Sequence, residues 1–310
     1  MKTSWKRSSS PPLPDAGEGC TASGAGAPAA GGLVDAHVHV FPSEMILNRE
    51  AYLERDARFN ALHSSPKAPM VTADEVVEHM DDSGVDLCVL VGFAFADQGL
   101  CRMVNDCVLE AVARYPGRLA GLACVAPGAP GARTELERCL DAGLRGCGEL
   151  APDGRDLGDG RPRGGDGLAA AAGCLRERDL PLLVHASEPL GHQYRGKGRF
   201  TPEDCFALAQ AHPGLTIVLA HMGGGLFLYE MMPEVRQTLA DVFYDTAAVP
   251  YLYGPEIYEV AVSAAGPEKF IFGSDYPLLD PRRYVNGLER LDPSARAAVQ
   301  DGNARKVFKL

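Results

Sequence analysis

The run from Leu33 to Phe41 contains two histidines, His37 and His39, within a largely apolar sequence. A short apolar run of this kind predicts a buried β-strand, and in a strand the residues i and i+2 point to the same face. Both imidazoles are therefore expected to face the same way. Imidazole is the commonest metal ligand among side chains, and two imidazoles on one face are suited to binding a divalent ion.

Further residues that can bind a metal lie at the ends of other apolar runs of the chain. They are Glu149, His185, His221 and Asp275. If these runs are parallel strands of one barrel, their carboxyl ends meet at the face where barrel enzymes place their active sites. Four histidines and two acidic residues would then converge from five strand ends. We therefore predict a metal site in preference to histidines that only fill the core.

The elements that would position these residues alternate between strand and helix. Eight apolar runs are typical of strands covered on both faces, at residues 33–41, 86–93, 119–125, 144–150, 182–187, 215–221, 242–248 and 270–275. Amphipathic, helix-length segments separate them, near residues 72–84, 97–115, 133–142, 166–179, 202–211, 224–239, 254–264 and 281–290. This order predicts an α/β fold, a single (β/α)8 TIM barrel. A doubly wound open sheet is the alternative, which is weakened because no Gly-rich phosphate-binding motif follows a strand.

Composition narrows the class of protein. The chain has 310 residues and a formal net charge of −11, and it lacks the basic patch expected of a nucleic-acid-binding protein. No apolar run reaches the ~18 residues of a membrane span. Nine cysteines without a Cys-x-x-Cys pair indicate reduced thiols and hence a cytoplasmic protein. Residues 1–31, rich in Ser, Pro, Gly and Ala, are predicted to be a disordered leader, and residues 32–310 are predicted to be the barrel.

Four motifs at the strand ends form a set with a family resemblance. They are Asp35-Ala36-His37-Val38-His39, Val184-His185, Leu219-Ala220-His221-Met222-Gly223 and Gly273-Ser274-Asp275-Tyr276-Pro277. With the ending Gly302-Asn303-Ala304-Arg305-Lys306-Val307-Phe308, they resemble the amidohydrolase superfamily over residues 33–310, most closely its amidohydrolase-related branch (amidohydrolase 2). That branch contains hydrolases, lactonases and decarboxylases similar to aminocarboxymuconate-semialdehyde decarboxylase. The resemblance implies a metal-dependent barrel with a small-molecule substrate, and a homodimer as one option for its assembly.

The resemblance and the chemistry of the residues together suggest individual roles. The expected metal ligands are His37, His39 and His185. Asp275 is expected to be a further ligand, or to take a proton from a metal-bound water. Zinc is the expected ion, because nitrogen and carboxylate donors suit it. His221 is expected to act as a general base or to polarise the substrate, or else to be a fourth ligand.

Glu149 bears on the number of metal ions. Many members of the superfamily have a carboxylated lysine at the end of strand four, where it bridges two metals, whereas this chain has a glutamate there. A glutamate can bind one metal, bridge two, contact the substrate or support a histidine ligand. We expect one ion in preference to two.

Two loops are candidates for substrate binding. The segment 41–71 is long for a barrel loop, and long ordered loops often form functional lids. Its polar residues include Arg49, Arg55, Arg58 and His63. The segment 187–198 offers hydrogen-bond donors from His192, Tyr194, Arg195 and Lys197. A carboxylate-bearing substrate suits these donors, although a solvated loop with unrelated charges explains them equally well. A third stretch, 153–166, is expected to be a flexible loop.

Three functions remain open at this point. The leading hypothesis is a metal-dependent hydrolase, in which a metal-activated water attacks an amide, lactone or ester bond of a small, carboxylate-bearing molecule. The alternative is a nonoxidative, metal-dependent decarboxylase, a carbon–carbon lyase, that acts on an unsaturated or aromatic acid. An arginine of the segment 41–71 placed to hold a substrate carboxylate would favour it. A barrel without catalysis that only binds a partner is disfavoured, because all five expected ligand positions are filled.

Overall fold

A computed structural model of the chain describes residues 32–152 and 165–310. The predicted leader, residues 1–31, and most of the loop predicted at 153–166 lie outside the described residues. No helix in the described part of the chain is long and apolar enough to cross a membrane. The eight cysteines of this part are free thiols, and seven of them are buried. The cytoplasmic location stays a prediction.

Eight strands and a surrounding set of helices make up the described chain. The strands are β1 (Val34–His39), β2 (Leu87–Val91), β3 (Leu119–Gly121), β4 (Cys147–Leu150), β5 (Leu182–Val184), β6 (Ile217–Leu219), β7 (Val242–Asp245) and β8 (Phe270–Ile271). The α-helices are α1 (Ser43–Leu47), α2 (Arg49–Leu53), α3 (Ala57–His63), α4 (Ala73–Ser83), α5 (Gln98–Arg114), α6 (Ala132–Asp141), α7 (Gly165–Glu177), α8 (Pro202–Ala211), α9 (Pro233–Thr238), α10 (Val249–Leu252), α11 (Ile257–Ala265), α12 (Val285–Leu288), α13 (Pro293–Ala297) and α14 (Asn303–Phe308). Short 3-10 segments cover His221–Met231, Pro267–Lys269 and Pro281–Tyr284, and a π-helical turn covers Ala298–Gly302.

The strands pair in sequence order and close on themselves. β1 to β3 form one parallel ladder, and β4 to β8 form another. A bridge between Ala123 and Cys147 joins the two ladders after β3, and a bridge between Val38 and Tyr276 joins the segment after β8 to β1. The predicted (β/α)8 barrel is confirmed. All eight carboxyl ends therefore lie on one face, which we call the carboxyl-end face.

Apolar side chains fill the barrel interior. They are Val34, Ala36, Leu87, Val89, Val91, Ala120, Leu122, Leu183, Val218, Ala220 and Ile271. Three residues of α14 belong to the same cluster, so this helix packs against the inner strand residues. A larger second cluster lies between the strands and the outer helices. The strands are thus buried on both faces, as their continuous apolar runs indicate.

Some elements differ from the sequence-based expectation. The strands are shorter than the apolar runs, because the last residues of several runs leave the ladder and carry the polar side chains of the site. The helix expected at 224–239 is instead a 3-10 segment followed by α9. Its first turn includes Gly223, Gly224 and Gly225 with φ values of 60°, 59° and 96°, which a right-handed helix cannot contain. The helix expected at 281–290 is a 3-10 turn followed by α12, and the segment 41–71 folds into α1, α2 and α3.

Side-chain caps fix α3, the last helix of this segment, and α4, the helix that follows the segment. Thr72 and Glu75 form a capping box at α4, with Glu75 Oε2 accepting from Thr72 N at 2.7 Å and Thr72 Oγ1 accepting from Glu75 N at 3.4 Å. Asp56 caps α3 by accepting from the backbone N–H of Phe59 at 2.8 Å. Its second oxygen accepts from the backbone N–H of Ala96 at 2.8 Å. Because Ala96 follows β2, this bond holds α3 at the carboxyl-end face.

Candidate metal centre and active site

Four histidines and two acidic residues meet at the carboxyl-end face. They are His37 and His39 from β1, Glu149 from β4, His185 after β5, His221 after β6 and Asp275 after β8. Five of the six are at most 8% exposed, and only His39 is more exposed. The structure therefore brings together all the residues that the sequence suggested as metal ligands or catalytic groups.

The donor atoms fall into two groups that share Glu149. In the first group, His37 Nε2 lies 3.2 Å from His39 Nε2, and Glu149 Oε2 lies 3.9 and 3.7 Å from these nitrogens. In the second group, His185 Nδ1 lies 2.9 Å from Glu149 Oε1 and 3.0 Å from His221 Nε2. The distance between His221 Nε2 and Glu149 Oε1 is 3.4 Å. Each group is thus a compact triangle of potential ligand atoms.

Asp275 adds a carboxylate to the first group. Its Oδ1 lies 3.3 Å from His39 Nε2 and 3.8 Å from His37 Nε2. The backbone N–H of Asp275 donates to the carbonyl of His37 at 3.0 Å, and its φ is 63°. His221 has a φ of 57°. Residues other than glycine rarely adopt this left-handed conformation, which is typical of side chains held in place at functional sites.

Asp245, at the end of β7, orients two of the histidines although the sequence did not predict it as a site residue. Its Oδ2 accepts from His37 Nδ1 at 2.7 Å, and its Oδ1 accepts from the backbone N–H of His221 at 2.9 Å. His221 Nδ1 in turn donates to the carbonyl of Ala247 at 2.9 Å. With both Nδ1 atoms protonated, each Nε2 directs its lone pair at the shared centre. Metal-binding imidazoles have this arrangement.

A second buried carboxyl group supports the segment after β8. Asp35 accepts from Ser274 N at 2.8 Å and from Ser274 Oγ at 2.5 Å, and burial raises its pKa to about 6 against the effect of these bonds. The hydroxyl of Tyr284 donates to the carbonyl of Ser274 at 2.6 Å. These bonds fix the residue that precedes Asp275 and so help to hold that carboxylate in place.

The charges of the centre compensate one another. Burial alone would lower the pKa values of His37 and His221, but the adjacent carboxylates raise them to about 10 and about 9. Burial would raise the pKa values of Glu149 and Asp275, yet the neighbouring imidazoles lower both. The surroundings therefore favour ionised carboxylates together with positive charge among the nitrogens. Protons or a metal ion can supply that charge.

The donor set fits a divalent metal ion. Ligands on a tetrahedral ion with bond lengths of about 2.0–2.2 Å lie about 3.3–3.6 Å apart, which is close to the separations in both triangles. In each triangle two imidazole nitrogens face each other, and this arrangement needs a cation or an additional proton between the two lone pairs. Because Glu149 belongs to both triangles, one ion or a bridged pair of ions fits the same residues.

Arg58, in α3, is the arginine of the segment 41–71 whose charge acts on this centre. Burial lowers the pKa of His185, and the positive charge of Arg58 lowers it further. Burial also lowers the pKa of Arg58 itself, although the Glu149 carboxylate opposes that shift. Its Nε is buried, and no acceptor within the described residues binds it. By contrast, Arg49 donates to the carbonyl of Ser65, and Arg55 donates to an exposed aspartate of the α5 cap. The sequence alone did not separate these three arginines.

His63 lies at the other end of α3 in a mostly aromatic environment. Its ring centroid is 5.1 Å from that of Phe41 and 4.7 Å from that of Phe59. Burial lowers its pKa to about 4, and the nearby His39 acts in the same direction. This residue therefore presents a neutral ring beside the first triangle.

The four predicted substrate-binding residues of the segment 187–198 have different environments. Lys197 Nζ donates to two carbonyls of its own loop, at 2.5 and 3.3 Å, and so stabilises the loop backbone. Tyr194 donates its hydroxyl to Glu188 Oε2 at 3.1 Å. His192 and Arg195 are exposed. A role of these residues in binding substrate stays a prediction.

The family follows from a match over nearly the whole described chain. The family model described as Amidohydrolase matches residues 34–310. The chain therefore belongs to the amidohydrolase family and is an enzyme of that superfamily, which confirms the resemblance seen in the strand-end motifs.

Three characterised relatives are similar to this chain. Gamma-resorcylate decarboxylase from Rhizobium radiobacter is 24% identical over 297 residues, covering 76% of this chain and 87% of the relative. The crystal structure of 5-carboxyvanillate decarboxylase from Sphingomonas paucimobilis superposes with a TM-score of 0.72 at 19% identity, covering 91% of this chain and 100% of that chain. Dihydroxybenzoic acid decarboxylase from Polaromonas sp. JS666, crystallised with manganese and the inhibitor 2-nitroresorcinol, gives a TM-score of 0.67 at 20% identity, covering 90% and 97%.

These relatives correct the leading functional hypothesis. Each of the three is a decarboxylase of an aromatic acid, so the expectation of a hydrolase is wrong and its stated alternative is favoured. The relative with a bound metal contains manganese. The comparison therefore supports a divalent metal ion, but it does not support zinc specifically. The homodimer implied by the family resemblance stays a prediction.

Proposed function

We propose that this protein is a metal-dependent, nonoxidative decarboxylase that removes carbon dioxide from a small aromatic acid. The similar decarboxylases support the reaction class. The observation that carries the proposal for this chain is Arg58. Arg58 is partly buried, its charge acts on Glu149 and His185 of the candidate centre, and its Nε has no acceptor among the described residues.

Arg58 is suited to binding the carboxylate of such an acid. A guanidinium offers several N–H donors in a fixed plane and commonly binds a carboxylate through two of them. Its attraction for an anion is stronger at a partly buried position than in bulk water. The carboxylate of Asp56, two residues before Arg58, already accepts from two backbone N–H groups. A substrate carboxylate is therefore the acceptor that we assign to Arg58.

We propose that His37, His39, His185 and Asp275 hold one divalent ion, with Glu149 as a further ligand. Imidazole and carboxylate donors suit manganese as well as zinc. When bound, the ion would supply positive charge that stabilises the oxygen atoms of the substrate. Asp245 would keep the Nδ1 proton on His37, so that its Nε2 remains available as a ligand.

His221 is the residue that we assign to proton transfer. Its Nδ1–H is engaged with the carbonyl of Ala247, so Nε2 is the nitrogen that can gain or lose a proton. In the proposed reaction, His221 Nε2 gives a proton to the ring carbon that bears the carboxylate. The carbon–carbon bond then breaks, carbon dioxide leaves, and the electron pair of that bond restores the aromatic ring. A single added proton thus replaces the carboxylate.

The release of carbon dioxide tests this function. Protein loaded separately with manganese and with zinc is incubated with 2,6-dihydroxybenzoate, 5-carboxyvanillate and a series of other hydroxylated benzoates, and carbon dioxide and the phenolic product are both quantified. We expect equal amounts of the two products, with one deuterium on the product ring when the reaction runs in D2O. Folded, metal-loaded protein that releases no carbon dioxide from any acid of the series would exclude the proposal.

A further inference from the structure

A polar cluster lies beside the candidate metal centre and has no part in the function proposed above. It consists of Glu188 and Tyr194 from the segment 187–198 and Tyr253 directly after α10; we call it the Glu188 cluster. The hydroxyl of Tyr194 donates to Glu188 Oε2 at 3.1 Å. Glu188 Oε1 is buried, and none of the described residues donates to it. Burial raises the pKa of Tyr253, and the Glu188 carboxylate raises it further through its charge and through side-chain hydrogen bonding, so the Tyr253 hydroxyl lies near Glu188.

The segment 187–198 packs this cluster against the centre. His185 Nε2 lies 3.1 Å from the Oγ of Ser187, the residue before Glu188. The same oxygen accepts from the backbone N–H of Gly198 at 2.9 Å, which closes the segment over the imidazole. A Cβ atom on Gly198 would lie 3.3 Å from His185 Cδ2, so a larger residue would crowd this histidine. The Glu188 cluster therefore borders the space in which a substrate meets the centre.

The cluster is rich in hydrogen-bond acceptors. An ionised carboxylate only accepts hydrogen bonds, and a tyrosine hydroxyl that donates its proton presents its lone pairs to other groups. Tyr194 gives its proton to Glu188. The ammonium of Lys197 is 5.7 Å from the centre of the Tyr194 ring, but it donates to loop carbonyls. A ligand group that binds to Glu188 Oε1 must therefore supply a hydrogen atom.

Arg58 offers only hydrogen-bond donors, in contrast to the acceptor carboxylate of the Glu188 cluster. Arg58 belongs to the segment after β1, whereas Glu188 follows β5 and Tyr253 follows β7. A substrate with its carboxylate at Arg58 thus has a different part of its ring near the acceptors. A hydroxyl group at that part of the ring can donate to them, whereas a second carboxylate would bring two negative charges together.

We propose that the Glu188 cluster is a specificity subsite that binds a hydroxyl group on the substrate ring and disfavours a second carboxylate there. This inference rests on the proposed function for the orientation of the substrate. It narrows the substrate class to phenolic acids with a single carboxylate. Glu188 is the residue that accepts the hydroxyl proton, and Tyr194 and Tyr253 line the subsite.

Binding of matched probes to manganese-loaded protein tests the subsite without catalysis. Calorimetry measures the affinity for benzoate, for 3- and 4-hydroxybenzoate, and for two dicarboxylates. Isophthalate has a carboxylate in place of the 3-hydroxyl group, and terephthalate has one in place of the 4-hydroxyl group. We expect at least one hydroxybenzoate to bind about tenfold more tightly than benzoate, because a hydrogen bond to a charged acceptor forms. The dicarboxylate substituted at that position should bind more weakly than benzoate.

The Glu188→Gln variant should reduce both preferences at least threefold, since the amide keeps the shape but loses the charge. Glu203→Gln is the matched control, because it removes the same charge from an exposed position on α8 and should change neither preference. Tyr194→Phe should keep the hydroxyl preference, because the acceptor carboxylate remains. Equal binding of benzoate and both hydroxybenzoates to the wild-type protein would overturn the subsite, even if Glu188→Gln does not fold. Preferences unchanged in folded Glu188→Gln would overturn it as well.

The outcomes for the subsite and for the proposed function are separable. Carbon dioxide release with preferences that do not depend on Glu188 would retain the decarboxylase and exclude the subsite. A Glu188-dependent preference in a protein that releases no carbon dioxide would retain the subsite and exclude the decarboxylase.

Discussion

His37 Nδ1 and Asp245 Oδ2 lie 2.7 Å apart at almost fully buried positions, although 208 residues separate them in the sequence. The bond connects β1 to β7, which are not neighbours in the barrel because β8 lies between them. It fixes the proton of His37 on Nδ1 and leaves Nε2 directed at Glu149 and His39. Asp245 therefore determines how the first histidine of the centre can act as a ligand.

The Asp245→Asn variant should bind metal about 10–100-fold more weakly, as is usual when the partner of a ligating histidine is lost. The amide removes the negative charge that stabilises the Nδ1–H of His37, while keeping nearly the same shape. Competition with a chelator of known affinity measures the change. Asp241→Asn is the control, because Asp241 is exposed immediately before β7. Equal metal affinities in the two variants would contradict the assigned role of Asp245.

The number of ions can be settled through Glu149, which belongs to both triangles of donor atoms. We predict one ion per chain in the wild-type protein, measured by plasma mass spectrometry after removal of free metal. Glu149→Gln should weaken binding without changing this ratio at saturating metal, because the histidines and Asp275 remain. A wild-type ratio of two that falls to one in Glu149→Gln would instead show a bridged pair of ions.

The sequence was sufficient to predict the barrel fold and the residues that converge at its carboxyl-end face. Apolar runs of strand length alternate with helices. The ligand candidates are His37 and His39 in the second half of β1, and His185, His221 and Asp275 in the residues that follow β5, β6 and β8. Parallel strands of a barrel bring these ends together whatever the details of packing. The position of each ligand was therefore encoded by local patterns that could be recognised one at a time.

The residues that the sequence did not identify depend on contacts between distant elements. Asp245 lies within an apolar run, but nothing in its local sequence indicates that it faces His37. Arg58 is one of three arginines in a segment whose fold into short helices was not predicted, and only the packing of α3 distinguishes it from Arg49 and Arg55. The acceptor Glu188 is likewise defined by its neighbours after folding.

The assignment of proton transfer to His221 predicts a difference from Asp275. His221→Asn should lower kcat by about 100-fold or more, as loss of a general acid usually does, while the protein keeps most of its metal. Asp275→Asn should lower metal content and activity together, because it removes a charged ligand. Rates and metal content are measured on the same preparations. A proportional loss of metal and activity in His221→Asn would show that His221 is a ligand instead.

The role of Arg58 predicts an effect that depends on the carboxylate of the ligand. Arg58→Ala should lower kcat/KM for the acid about 10–100-fold, which corresponds to the loss of a hydrogen bond to a charged group. Arg58→Lys should recover only part of this loss, because an ammonium keeps the charge but not the planar pair of donors. Binding of the phenolic product, which has no carboxylate, should be nearly the same in all three proteins.

Arg55→Ala is the matched control for Arg58, since Arg55 precedes the same helix, has a side chain that is 45% exposed and pairs with Asp97 at 2.7 Å. Exposed ion pairs contribute little, so this variant should stay within about twofold of the wild type in kcat/KM. If Arg58→Ala weakened the acid and the phenol equally, the guanidinium would be supporting the fold of α3 and not the substrate carboxylate. If it weakened neither, Arg58 would not contact the substrate, and the observation that favours decarboxylation in this chain would be lost.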